Sequence, residues 1–261
     1  MNTIKLHNLE NEKYHAHPAI SWSKFKHFLN SPYHYQFNVI NKSADSSSTD
    51  SMRFGTLVHS CILEPDLLFN SYKIMPDFGD KRIAKNKQAY QEFMQANKDV
   101  KFLITQDEWT RLSNIMTNFQ KLKFDLKGLF IEQSLFAKYV DIDLKAKPDA
   151  FNFDLVLDVK TSVEPLSIFK YTINKYMYQY QLSFYDLVMV LNEYENKNRE
   201  FKILYVQSQN ECEVGIVRLN PVKVFEKQDY IISKLKDFGM CRAENYWPMT
   251  GELSEIYVDP L

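Results

Sequence analysis

The sequence has few of the residues that cross-link or punctuate a chain: three cysteines, six glycines and nine prolines in 261 residues. Cys61, Cys212 and Cys241 lie far apart and form no CxxC pair, which excludes a disulfide framework and a zinc-finger spacing. They read as reduced packing residues. So little glycine and proline excludes collagen-like and low-complexity chains, and no internal repeat recurs at a fixed period. No run reaches the roughly 18 apolar residues of a membrane span, and the start, MNTIKLHNLENEKYH, lacks a signal-peptide core. A cytoplasmic protein with no membrane partner is expected. An excess of either charge is lacking too, with a net charge of -1 and a pI near 6.6, so any contact with nucleic acid must be local. The densest basic run, Lys81, Arg82, Lys85 and Lys87, reads either as a phosphate contact or as a solvated loop before a helix.

What is present is apolar and aromatic. Hydrophobic residues make up 45% and aromatics 15% of the chain, enough for a sizeable core at a length that suits a single domain over 1–261. Residues 1–125 read as mainly helical: a short helix after Ser21, a second turn opened by Pro32, and an apolar helix over 52–63 that contains His59. A helix follows around 87–97, and another starts at the Thr105–Glu108 capping box and runs to about 121. The polar run NKSADSSSTDS between them reads as a mobile loop. Residues 126–261 change period. SLFAKYVDI, LKAKPDAF and LVLDVKTS read as three strands of a meander, followed by one long helix over 165–191, strands FKILYVQS and EVGIVRL, and a closing helix over 222–238. The class is α/β or mixed α+β, with a central mixed sheet flanked by helices and a helical N-terminal module.

One constellation carries chemistry. In KPDAFNFDLVLDVKTS, Asp149 follows a proline at the end of one strand, while Asp158 and Lys160 lie two apart on the next and so share a face. Two carboxylates from neighbouring strands make an oxygen-rich pocket for a hard divalent cation, and a lysine beside them can position or deprotonate an attacking water. Asp158 and Lys160 also interrupt an apolar run, and burying such charges is costly unless they are paired or coordinated. A simple ion pair at a strand end is the bland alternative. The competing triplet Asp143-Leu-Lys145 reads as a solvated hairpin.

These residues, taken with others, resemble the PD-(D/E)XK nucleases of the RecE, or exonuclease VIII, type, and more distantly lambda exonuclease and RecB-type nuclease domains. The resemblance rests on Ser21-Trp-Ser23 with Pro32 downstream, Gly55-Thr-Leu-Val-His59, Glu132-Gln-Ser134, Pro148-Asp149, Asp158-Val-Lys160, Gln181-Leu-Ser-Phe-Tyr185 and Trp247-Pro248. It implies a restriction-endonuclease-like core and Mg²⁺, with Mn²⁺ as a substitute, bound by His59, Asp149, Asp158 and the main-chain carbonyl of Val159. His59 alone would read as a core histidine. Gln181 and Tyr185, four apart on one helix face, would sit beside the active site. Glu132 would reach the metal through water, or else be a surface glutamate.

The resemblance further implies a 5′ to 3′ double-stranded DNA exonuclease of phage-type recombination, a homo-oligomeric ring and a single-strand annealing partner of the RecT type. Three scattered cysteines cannot supply the ligands of the iron–sulfur relatives, and the absence of GxxxxGK[ST] means no ATP motor. Two rivals stay open: a structure-specific or single-strand endonuclease, and a non-catalytic DNA-binding or assembly protein with the same fold.

Overall fold

The computed structural model describes residues 5–42 and 49–250. Most of the serine-rich run, 43–48, lies outside them, and so does the expectation of weak order there.

The N-terminal half is helical, as its periodicity predicts. α1 (Asn11–Ala16) is followed by α2 (Trp22–Asn30), which buries Trp22, Phe25 and Phe28 on one stripe. Ser21 stands at its start, but its hydroxyl meets Ser23 Oγ at 2.9 Å rather than a backbone amide. In α3 (Pro32–Tyr35) the cap is Ser31, and the helix runs on as a π-helical turn over Gln36–Ile40. Thr49 caps α4 (Asp50–Leu63), and α5 (Pro65–Ser71) begins at the proline that ends it. Then come β1 (Tyr72–Met75), α6 (Ala84–Ala96), β2 (Phe102–Thr105) and α7 (Gln106–Lys121). Both halves of the Thr105–Glu108 capping box form. The β1–β2 pair is parallel and was not legible: four-residue strands carry too little alternation to stand out from their surroundings.

The second half departs from a three-strand meander. β3 (Phe130–Ile131), β4 (Leu135–Tyr139), β5 (Ile142–Ala146), β6 (Ala150–Phe151) and β7 (Leu155–Ser162) divide between two sheets. β4 and β5 form a separate two-stranded ribbon, and the main sheet has the order β3-β6-β7-β8-β9, with β8 (Glu200–Gln207) and β9 (Val214–Leu219) following the helices. The run LKAKPDAF is cut at Pro148, which has no N–H to give a ladder, and the chain passes there from ribbon to sheet. β7 and β8 are parallel and the other pairs antiparallel, so the sheet is mixed.

Two further expectations are corrected. The long helix over 165–191 is broken into a 3₁₀ turn at Leu166–Ile168, α8 (Phe169–Lys175) and α9 (Tyr178–Val190), with left-handed Met177 between them. Phe169 and Ile173 pack into the same core as Leu182 and Phe184, so apolar spacing continues across a break that it cannot reveal. The Asp143–Lys145 hairpin is a hairpin but not a solvated one. Lys145 is 1% exposed, its Nζ donates to the carbonyls of Tyr14 and His17, and burial, followed by the Lys24 charge, lowers its pKa to about 8. Its cover comes from the N-terminal segment, through backbone bonds between Ile20 and residues 143 and 145, which no local pattern announces.

α10 (Pro221–Glu244) closes the described fold and extends past the expected 222–238. The strands alternate between two cores: Phe151, Val156, Ile203 and Tyr205 face α2, α9 and α10, while Leu157, Val159, Leu204 and Val206 face α4 and α7. The sheet is therefore a layer between two layers of helices. Among the described residues no helix is long and apolar enough to cross a membrane.

Candidate active site

The site forms where β6 lets go of β7. Their pairing stops at Ala150↔Leu157, so the β7 edge beyond that point has no strand beside it. The Val159 amide on this edge donates instead to Asp149 Oδ2 at 2.5 Å. Asp149, in the turn just before β6, is thereby fixed next to Asp158 on β7. Both are buried, at 9% and 1% exposure. Burial first, and the nearby Asp158 charge second, push the Asp149 carboxyl up to about 8.

His59 arrives from the other layer. α4 runs close to β7 here: a Cβ on Gly55, one turn earlier, would touch Thr161 Oγ1 at 3.4 Å. The His59 Nδ1 then lies 3.6 Å from Asp149 Oδ2, and the ring meets the Val159 backbone. Burial, then the Lys160 charge, lowers the His59 pKa against the pull of Asp158 and Glu132. A neutral imidazole with a free lone pair follows, the form that binds metal.

Glu132 is no surface glutamate. It sits just past β3 at φ 49, a left-handed conformation costly for a residue with a Cβ. Its amide is held by the Asp149 carbonyl at 3.0 Å, and its carboxylate pairs with Lys147 Nζ at 3.0 Å. Burial and then Asp149 raise its pKa. One ligand atom each from His59, Glu132 and Asp149 lie within 4.8 Å of one another. Two oxygen donors and one imidazole, with carboxyl pKa values raised by burial and mutual repulsion, fit a divalent cation, which would relieve that repulsion.

Asp158 lies beside this cluster, close enough for its charge to act on Asp149 and His59. Its Oδ2 is 2.5 Å from Lys160 Nζ, and its Oδ1 accepts from Gln181 Nε2 at 3.2 Å. Gln181 also donates to the Tyr185 hydroxyl at 2.7 Å; the two lie one turn apart on α9, as their spacing predicts. Burial opposes the charge on Lys160, but Asp158 and Asp149 outweigh it and raise the lysine pKa. The structure therefore brings all the sequence-derived candidates to one place: His59, Glu132 and Asp149 as one cluster, Asp158, Lys160, Gln181 and Tyr185 as its neighbour, and Val159 between them.

Sequence reasoning missed three residues. Lys147 neutralises Glu132, and its place immediately before Pro148-Asp149 was the available signal. Lys26 on α2 has its pKa lowered by burial and then by Lys160, and nothing local marked it. The Tyr178 ring lies under Lys160 Nζ, 4.9 Å from its centroid. A cavity of about 230 Å³ opens on the site, lined by Ser21, Ser23, Glu132, Lys147, Gln181 and Tyr185 among others. The Ser21-Trp-Ser23 motif thus borders the chemistry. Trp247-Pro248 does not: Trp247 stacks on Tyr35 at 5.1 Å, and the Pro248 carbonyl accepts from the Tyr33 amide at 3.1 Å.

Comparison with known proteins bears on this arrangement. Residues 21–259 match a family described as "PDDEXK-like domain of unknown function (DUF3799)". No curated protein matches significantly in sequence. Among solved structures, the fold resembles that of a "Putative exonuclease" from Eubacterium rectale, with a TM-score of 0.60 and 14% identity over 98% of this chain and 96% of that one. Another, described as SSO0001, superposes with a TM-score of 0.27 at 15% identity over 68% of this chain and 85% of that one, too loosely to bear on the fold.

Proposed function

The chain belongs to the PDDEXK-like domain family, and from that premise we propose that it is a metal-dependent deoxyribonuclease of the PD-(D/E)XK type. The observation that carries the reading is the meeting of His59, Glu132 and Asp149 within 4.8 Å beside the Asp158–Lys160 pair. A divalent cation held by His59, Glu132 and Asp149, with Asp158 and the Val159 carbonyl at its margin, would act as a Lewis acid on a phosphodiester. We take Mg²⁺ as the cation, with Mn²⁺ as a substitute.

The side chains divide the remaining work. Lys160, kept protonated by Asp158 and Asp149, donates hydrogen bonds toward the attacking water or a phosphoryl oxygen and stabilises the charge that builds in the transition state. Asp158 fixes the lysine. Gln181 fixes Asp158, and Tyr185 fixes Gln181. Lys147 holds Glu132 against Asp149.

The finer reading is a 5′ to 3′ exonuclease on double-stranded DNA of the RecE type, working in phage-type recombination as a homo-oligomeric ring with a RecT-type annealing partner. Its support is the motif set read from the sequence, together with the name of the solved structure that shares the fold. The test is digestion of end-labelled linear duplex and closed circular duplex by wild type and Lys160→Ala, with Mg²⁺ or EDTA. Only the linear DNA should disappear, from the 5′ end, and only with metal and Lys160 present. Cut circles would move the reading to an endonuclease; intact DNA in every lane would sink it.

A further inference from the structure

Between α8 and α9 the backbone turns left-handed at Met177, with φ 59 and ψ 37, a costly conformation for a side chain with a Cβ. The break has a geometric product. Tyr176 and Tyr178 are two residues apart and would point to different sides of an unbroken helix. Here their rings stack, with centroids 5.8 Å apart and planes inclined by 22°. Tyr178 is the residue under Lys160 Nζ, so the stack begins at the proposed catalytic lysine. It ends in solvent, for Tyr176 is 53% exposed.

Ammonium groups also sit over the exposed rings on and just after α8. Lys175 Nζ lies 5.3 Å from the centroid of the Tyr176 ring, and Lys170 Nζ lies 5.1 Å from that of Tyr171, itself 65% exposed. Core packing accounts for Phe169 and Ile173 on α8 but leaves these exposed rings unexplained. Aromatic faces interleaved with lysines are the means by which proteins hold single-stranded nucleic acid, because the rings take bases whatever their sequence and the ammonium groups take phosphates.

We infer that the exposed Tyr176 ring, backed by Tyr178, forms a platform on which an unpaired base of the substrate strand stacks close to the scissile phosphate, with Lys175 on the backbone. The inference rests on the nuclease reading for its substrate, while the binding it predicts can be measured without cleavage. The experiment follows the anisotropy of a fluorescein-labelled oligothymidylate titrated with full-length protein in EDTA. Tyr176→Ala should weaken binding by about tenfold, Tyr176→Phe should bind within about twofold of wild type, and Lys175→Ala should flatten the salt dependence by about 0.7 in slope. Blunt duplex, whose bases are already stacked, should not distinguish wild type from Tyr176→Ala.

If Tyr176→Ala loses its native unfolding transition, Tyr176→Leu, which keeps the volume without the π face, takes its place against Tyr176→Phe. Wild-type affinity in a folded Ala or Leu variant overturns the platform. Cleavage assays in Mg²⁺ separate the two ideas: an inactive wild type whose Tyr176 variants still lose oligonucleotide binding sinks the nuclease reading alone. An active enzyme whose variants keep both binding and KM sinks the platform alone.

Discussion

A proton and a cation compete for the same atoms at Asp149. Its carboxyl is pushed up to about 8, by burial first and by Asp158 second, so at neutral pH the metal-free protein holds a proton where a ligand is needed. The folded state binds more protons than the unfolded state between about pH 4 and pH 8, so stability from this group is present at low pH and lost as pH rises through the folded value. In EDTA, the thermal midpoint of the wild type should therefore fall across that window relative to Asp149→Asn. Metal affinity should move the other way, rising toward pH 8 as the proton leaves, by up to about tenfold per pH unit. Melts in EDTA check the first part, and calorimetric titrations with Mn²⁺ in buffers of different ionisation enthalpy check the second. A proton count near zero at pH 6.5 would contradict the assignment.

At the scale of elements, α9 serves the site with one end and the core with the other. Gln181 and Tyr185 face Asp158, while Asp186 pairs with the fully buried Arg199 and accepts from Gln228 of α10. Arg199 also donates to the Phe153 and Tyr194 carbonyls, so one guanidinium ties α9 to the loops before β7 and β8. Arg199→Met leaves the Asp186 charge buried with only an amide partner and should cost about 3–5 kcal/mol, read as a lower urea midpoint. Adding Asp186→Leu to it should recover part of that loss. A single variant within about 1 kcal/mol of wild type would mean that the pair holds little together. Asp186 was the one visible sign of this network, a lone charge inside the apolar run SFYDLVMV of α9, but its partner Arg199 lies in the loop before β8, and no local pattern joins the two. What was legible is what local chemistry dictates: the Thr105 capping box, the alternation that puts Asp158 and Lys160 on one face, and the helical spacing of Gln181 and Tyr185. The break at Met177, the burial of Lys145 and the left-handed Glu132 depend on partners distant in sequence. His59 lies between the two cases: its helix was readable, but its nearness to Asp149 depends on how closely α4 approaches β7.

For the whole molecule, the site is a seam. The sheet separates two cores, one with α2, α9 and α10 and one with α4 and α7. Asp149 and Glu132 belong to the sheet and its edge, but His59 comes from the α4 layer, where Leu57, Val58, Cys61 and Ile62 anchor its helix without its help. A cation bound at this cluster would join layer to sheet, whereas a histidine that only packs would not. The two roles predict opposite patterns in one set of melts. If His59 is a ligand, saturating Mn²⁺ at about 100 times Kd should stabilise wild type by about 2.7 kcal/mol through mass action, and His59→Ala should lose most of that gain while unfolding near the wild-type temperature in EDTA. If it is a packing residue, His59→Ala should unfold well below wild type in EDTA and keep the full metal-dependent rise. The exposure of its side chain, 29%, and the apolar neighbours already buried on α4 favour the first pattern, in which the His59 imidazole stabilises the fold only when the cation is bound.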